Sequence, residues 1–381
     1  MKITVIGSTH PGFKLSKEEG LIFGGKAAGI CYQKDTFDAI MDESIEVTKK
    51  RINRTLNSKH HSVYDHVTYN LLLEDTPKII AMILNNEKQY TTSEKSARYT
   101  KMKISEREQV LYDKWLAIFK DEIKAYDPSM KDIDVEKLAQ ENARGLTSVF
   151  TFSVLEHTLS LRQINNIMYW FDQFINAPYE NDFFEEIKKY MKEFNEKLSD
   201  LYVEELHDEN KMRELSLFDK RSNHKEIFDE VYCTTYKATF AQLAQAQRHR
   251  TLSYSMKLLD ENKFFTPIII RDDEELSKMW QEDIKSVADL YPQSMLISVC
   301  ERGTYENFAL KCLERLCSHA QLEISLQTYD TLQKYLKSVK DSNPEVYDFM
   351  KKYDVTARCA VKGYKCDKPC KYAIKQLERL V

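Results

Sequence analysis

Apolar residues recur at spacings of three and four over 38–57, 105–125, 134–150, 161–177 and 183–202, and again over 274–288 and 306–338. That period predicts helices in each stretch. Two shorter apolar runs, Lys78–Leu84 and Phe240–Gln247, read as helices that each follow a strand. The strands before them, Val67–Leu73 and Val231–Thr239, are rich in β-branched and aromatic residues. A further strand, Ile3–Ile6, leads into a Gly-rich turn and the small-residue segment Gly24-Gly25-Lys26-Ala27-Ala28-Gly29. No Gly-x-Gly-x-x-Gly comes after that strand, so a Rossmann-type dinucleotide site is not expected. The stretch Asp208–Lys225 is charged, carries little apolar periodicity and reads as a linker.

Composition narrows the class. The chain has 381 residues, 42% of them apolar, enough for one large or two medium cores. It holds 9 Gly and 8 Pro, six of the glycines before residue 30, so the chain beyond that point is mostly regular structure and chiefly helix. Lys and Arg number 56 against 60 Asp and Glu, a net charge of −4 that leaves no basic excess for a nucleic-acid backbone. No apolar run approaches the roughly 18–20 residues of a membrane helix. The opening MKITVIGSTHPGFKL has no apolar signal core, and a cytoplasmic protein is expected. In that setting the eight cysteines read as thiols or metal ligands.

An internal repeat shows through these elements. Tyr64-Asp65-His66-Val67-Thr68-Tyr69 precedes the helix Lys78–Leu84, and Phe228-Asp229-Glu230-Val231-Tyr232-Cys233 stands in the same relation to Phe240–Gln247. Three strings carry candidate chemistry. Gln245-Ala246-Gln247-Arg248-His249-Arg250 ends a helix with two guanidiniums around an imidazole, a donor set suited to phosphate or an electron-rich ring. A solvated helix end, where cations complement the dipole, accounts for the same string. Glu94-Lys95-Ser96-Ala97-Arg98-Tyr99 is a second donor-rich stretch. His60-His61-Ser62-Val63-Tyr64-Asp65-His66 gathers three histidines without metal-site spacing, so capping or core hydrogen bonding competes with a metal.

Together these strings resemble the flavin-dependent thymidylate synthases. The order His60-x-Ser62-x-x-Asp65-His66, then strand and helix, then Arg-His-Arg, then Ser-x-Arg-Tyr, is the signature order of that family. Here it is divided between the repeats. The first has Asn86-Glu87-Lys88 where Arg-His-Arg is expected, but keeps Ser96-Ala97-Arg98-Tyr99, Glu141-Asn142-Ala143-Arg144 and Ser160-Leu161-Arg162 with Asn166. The second keeps Gln245 and Arg248-His249-Arg250 but lacks Ser-x-Arg-Tyr. It also keeps Arg315-Leu316-Cys317-Ser318-His319-Ala320-Gln321-Leu322-Glu323-Ile324, with Glu306 in place of a flavin-contacting Arg. The losses are complementary, as expected of a tandem fusion that keeps one composite site.

The resemblance implies an α+β chain of two thymidylate synthase-like copies, each a small sheet with many helices and no Rossmann fold. The expected division is copy one over 1–205, a linker over 206–230, a degenerate copy two over 231–344 and a Cys-containing tail over 345–381. It implies that Arg248, His249 and Arg250 hold FAD with His60, Ser62, Ser160, Arg162 and Asn166, where Ser160 stands for the family's Asn. Gln245, Arg248, Glu94, Ser96, Ala97, Arg98, Arg144 and Arg315 would bind the nucleotide, and Arg315 would be catalytic, stabilising charge on the uracil. The reaction implied is conversion of dUMP to dTMP with methylenetetrahydrofolate and NADPH, in a homodimer that mimics the family tetramer. A related C5 one-carbon transfer, such as hydroxymethylation, and a non-catalytic nucleotide-binding homologue are the alternatives. Outside the family pattern, Cys359, Cys366 and Cys370 read as zinc ligands, with Cys312, Cys317 or His319 as a fourth, as unliganded thiols, or as cysteines with a disulfide or redox role.

Overall fold

The computed structural model describes residues 1–381 apart from 10–15, 33–35, 97–99, 101, 180, 208–213, 220–224, 371 and 373–374. Its strands are β1 (Lys2–Ser8), β2 (Thr68–Pro77), β3 (Thr91–Glu94), β4 (Phe152–Ser160), β5 (Ile227–Phe228), β6 (Val231–Thr239), β7 (Ser253–Leu258) and β8 (Leu296–Thr304). Helices in the first half are α1 (Lys17–Tyr32), α2 (Phe37–Met41), α3 (Ile45–Asn57), α4 (Lys78–Leu84), α5 (Glu106–Tyr126), α6 (Asp132–Ala143), α7 (Leu161–Ile175) and α8 (Asp182–Lys197). The second half adds α9 (Phe240–Ala246), α10 (Glu274–Ser286), α11 (Tyr305–Arg315), α12 (Leu322–Val339) and α13 (Pro344–Lys351). None of the described helices is long and apolar enough to cross a membrane.

Two compact units form, one of residues 1–95 and 151–216, the other of residues 96–150 and 217–381. Each contains a four-stranded antiparallel sheet, ordered β1-β2-β4-β3 in the first and β5-β6-β8-β7 in the second. In both, the second strand runs without a loop into a seven-residue helix (β2 to α4, β6 to α9), and the fourth into a longer one (β4 to α7, β8 to α11). Ser160, Thr239 and Thr304 cap three of these junctions by accepting from the amides of Gln163, Gln242 and Asn307. The duplicated topology is that of an α+β fold repeated in tandem, with neither sheet parallel.

The compact units cut across the sequence repeats. Residues 96–150, from the first repeat, pack in the second unit: Trp115 on α5 meets Trp280 on α10 edge-on at 4.9 Å, and both are fully buried. The boundary between 216 and 217 falls inside the stretch read as a linker. Among its described residues, Leu206, Leu215, Leu217 and Phe218 are buried.

The segment around Gly24-Gly25 is the middle of α1 and not a turn. A Cβ on Gly24 would lie 2.5 Å from the Tyr64 ring, and one on Gly25 would lie 2.5 Å from Ile52. The glycines therefore serve close helix packing, which offsets their low helix propensity. The pattern over 306–338 divides into α11 and α12, separated at Leu316–Gln321.

Candidate active site

In the second unit the signature residues form a connected hydrogen-bond chain. The helix α9 ends at Ala246, and successive turns (Arg248 N to Gln245 O, His249 N to Ala246 O) bury His249 and leave Arg248 and Arg250 exposed. His249 Nε2 lies 2.6 Å from Arg315 Nε, the last residue of α11. Arg315 Nη2 also donates to the Gln245 carbonyl at 3.2 Å. The Gln245 side-chain oxygen in turn accepts from the Gln321 amide at 3.3 Å. Gln321 Oε1 accepts from Arg144 Nη2 at 2.6 Å, which ties the cap of α6 into the same chain. Arg144, Gln245, His249 and Arg315 are thus brought together although they are far apart in sequence.

Two titrating groups are shifted within this chain. Burial, then the charges of Arg315 and Lys311, push His249 down to about 2, so the imidazole is neutral. Glu323 accepts from Thr239 Oγ1 at 2.9 Å and from the Gln321 side chain. Burial raises its carboxyl to about 7, against the opposing pull of the Thr239 bond and Arg144. Neither Glu323 nor Gln321 figured among the expected site residues. Both lie in the string Arg315–Ile324, which carried the signal.

In the first unit, Ser160, Arg162 and Asn166 line one cavity of about 430 Å³ together with Lys88, Tyr90 and Trp170. Asp65 orients two of them, accepting from Ser160 Oγ and Arg162 Nη1, each at 2.8 Å. It is a further residue that the sequence pattern left without a role. Trp170, buried on α7, is a second. Tyr169 stacks on His207 at 4.3 Å and Phe171 is buried, whereas Trp170 reaches the cavity wall.

The string in place of Arg-His-Arg has taken on other work. Asn86 Nδ2 donates to Ser216 Oγ at 2.6 Å, and the Glu87 carboxylate accepts from the Ser216 amide at 2.6 Å. Lys88 lies on the cavity wall. His60 and Ser62 do not line the cavity. They sit at the turn before β2, His60 half-buried and Ser62 exposed. Next to them, His61 Nε2 lies 3.2 Å from the Leu56 carbonyl, the core hydrogen bond that competed with a metal in the histidine string. Glu94 is held by Lys78 at 2.5 Å and Asn85 at 3.3 Å. The Ser96 carbonyl accepts from Thr100 Oγ1 at 2.7 Å. Ala97 and Arg98 lie outside the described residues.

The expected zinc set is corrected by the structure. Cys359, Cys366 and Cys370 do share a small cavity with Cys317, of about 130 Å³. Yet among the described residues no three His, Cys, Asp or Glu side chains are gathered so as to hold a metal ion. A tetrahedral zinc needs every sulfur at about 2.3 Å. Cys359 is exposed, Cys366 and Cys370 are half-buried, and none of the three is in a disulfide.

Residues 25–202 match the family model described as thymidylate synthase complementing protein. No curated protein matches the chain. Among solved structures, thymidylate synthase X from Helicobacter pylori with FAD and dUMP is 17% identical, over 54% of this chain and 95% of its own, at a TM-score of 0.32. A UMP/dUMP methylase from Streptomyces cacaoi bound with 5-Br dUMP is 16% identical, over 53% of this chain and 90% of its own, at a TM-score of 0.33.

Proposed function

We propose that the chain is an FAD-dependent thymidylate synthase acting on dUMP, starting from the match of residues 25–202 to the family model described as thymidylate synthase complementing protein. The observation that carries the reading is the chain from Arg144 through Gln321 and Gln245 to Arg315 and His249. It joins a family residue kept by the first repeat to those kept by the second, inside one compact unit.

The residues fit a flavin dinucleotide. A dinucleotide needs donors for a pyrophosphate and apolar or aromatic surface for its rings. The first unit offers Arg162, held by Asp65, beside Trp170 on a cavity wall. Arg248 and Arg250, exposed after α9, are assigned to the flavin on the resemblance alone. FAD would supply redox chemistry and one-carbon transfer, with methylenetetrahydrofolate as carbon source and NADPH as reductant. The protein's part is to bind and to stabilise charge. Arg144 would bind the nucleotide, with Ser96 and Arg98 taking its phosphate. Arg315, fixed by two hydrogen bonds and always protonated, faces the pyrimidine ring and offsets negative charge that develops on it. Glu94, Ser96, Ala97 and Arg98 are assigned to the nucleotide by the resemblance alone, and His60 and Ser62, which lie off the wall lined by Ser160, Arg162 and Asn166, would meet the flavin elsewhere. A homodimer, with one site per chain in place of the family's tetramer, accounts for the complementary losses.

Incubation with dUMP, methylenetetrahydrofolate, NADPH and FAD, followed by mass spectrometry of the nucleotide, tests the proposal. The expected product is dTMP. Hydroxymethyl-dUMP would assign the site to the related transfer, and unchanged dUMP would contradict both.

A further inference from the structure

Arg315 ends α11 and Gln321 precedes α12, and the loop Leu316–Ala320 between them belongs to neither helix. Backbone carbonyls in such a loop have no helical partner and need other donors once they are buried. Ser325 Oγ, on α12, donates to the Arg315 carbonyl at 2.7 Å. Three further carbonyls of the loop are met from the tail, which the resemblance leaves outside the family pattern. The Arg358 amide donates to the Leu316 carbonyl at 2.7 Å. Arg379 Nη1 donates to the Ser318 carbonyl at 2.6 Å, and Nη2 to the carbonyl of Ala320. Arg379 is buried, and its guanidinium keeps its proton throughout the accessible pH range.

The bond to Ala320 reaches the candidate site through a peptide plane. The Ala320 carbonyl and the Gln321 N–H belong to one planar trans unit, so fixing the oxygen fixes the hydrogen that points the opposite way. That N–H donates to Gln245 Oε1 at 3.3 Å, and the Gln245 backbone carbonyl accepts from Arg315 Nη2 at 3.2 Å. The Gln321 side chain accepts from Arg144 Nη2 at 2.6 Å. Rotation of the 320–321 peptide would therefore release the Gln245 side chain and draw Gln321 away from Arg144. Two donors on one rigid fork resist that rotation better than a single flexible ammonium.

We propose that Arg379 is a positioning residue that clamps the loop between α11 and α12 and so holds Gln245, Arg315 and Gln321 in register with one another. What Arg315 acts on rests on the functional reading above; the clamp itself does not.

Hydrogen–deuterium exchange of the full-length chain, read by mass spectrometry of peptides over 316–325 and over 355–381, tests the clamp without reference to turnover. In Arg379→Ala, exchange over 316–325 is expected to quicken about tenfold or more. Millimolar guanidinium chloride is expected to reverse that change, and sodium chloride at the same concentration is not. Quickening confined to 355–381 would mean that Arg379 only fastens the tail, and it overturns the proposal. Loosening of the loop that guanidinium leaves untouched overturns it as well. Should Arg379→Ala fail to fold, Arg379→Lys keeps the stem and the charge but not the fork. Exchange over 316–325 is then expected to quicken about threefold or more, and natural exchange in that variant is contrary to the proposal.

In turnover of dUMP, Arg379→Ala is expected to lower kcat about tenfold and to keep KM for dUMP within about threefold, since Arg315 meets charge that develops only during reaction. An unchanged kcat beside a loosened loop contradicts the link to Arg315. Exchange as expected, in protein that never converts dUMP, would sink the functional reading and leave the clamp standing.

Discussion

Asp65 shows how one carboxylate organises a binding wall. It holds Ser160 and Arg162 at 2.8 Å each, while its own side chain is 47% exposed, so solvent screens the pair. Asp65→Ala is expected to leave the fold intact and to weaken FAD binding about threefold to tenfold, measured by flavin fluorescence titration. Arg248→Ala is a more severe change. It removes an exposed guanidinium for which we propose a flavin and nucleotide role, and turnover is expected to drop about a hundredfold or more without loss of thermal stability. At this scale the sequence made residue types legible but not their partners. Arg248-His249-Arg250 could be singled out as a donor cluster, yet only the turn after α9 shows that the histidine goes inward to Arg315. Trp170 was hidden for the opposite reason, because helical spacing cannot separate a core wall from a cavity wall.

Elements were legible where one period ran uninterrupted. The α4 span Lys78–Leu84 and the β6 span Val231–Thr239 match their sequence-predicted limits. By contrast β4 carries Ser153 and His157 on its buried face and Phe152 and Val154 on its exposed face, so no clean alternation marks it. The glycines of α1 misled because their use is packing against Tyr64 and Ile52, a tertiary reason that local propensity cannot express.

The placement of α5 with the second unit makes a prediction of its own. Trp115 packs on Phe119 and Trp280, and its Nε1 donates to Asp283 at 2.8 Å. Trp115→Ala is expected to destabilise that unit by about 3–5 kcal/mol in chemical denaturation.

Glu323, at the start of α12, gives a pH dependence. Its carboxyl is raised to about 7 from 4.5 by burial. A raised carboxyl contributes stability that is fully present below the unfolded value and is lost as pH climbs through the folded one. Glu323→Gln is therefore expected to unfold at higher urea than the natural protein at pH 8, by about 2 kcal/mol, with the gap closing by pH 4.5. A constant gap across that range would show that the carboxyl is not the group involved.

The whole molecule is a duplication, visible twice: as faint echoes in sequence and as the same strand order in both sheets. Strand order survives because the hydrogen-bonded ladder tolerates side-chain change on its surface, whereas identities between the halves need not. Complementary losses in the two halves are what the resemblance to the family implies. The sequence could not show that residues 96–150 leave their own repeat to complete the unit built on the second, because that depends on contacts such as Trp115–Trp280 and Arg144–Gln321.

The central claim, that residues kept by both repeats serve one flavin and one nucleotide, is tested most directly by a visible absorption spectrum of the purified protein loaded with FAD, before and after dUMP. An oxidised-flavin band that shifts when dUMP is added is the predicted result, since the two ligands would then share a site. Failure to retain any flavin with FAD in excess, or a flavin band indifferent to saturating dUMP, would contradict the account.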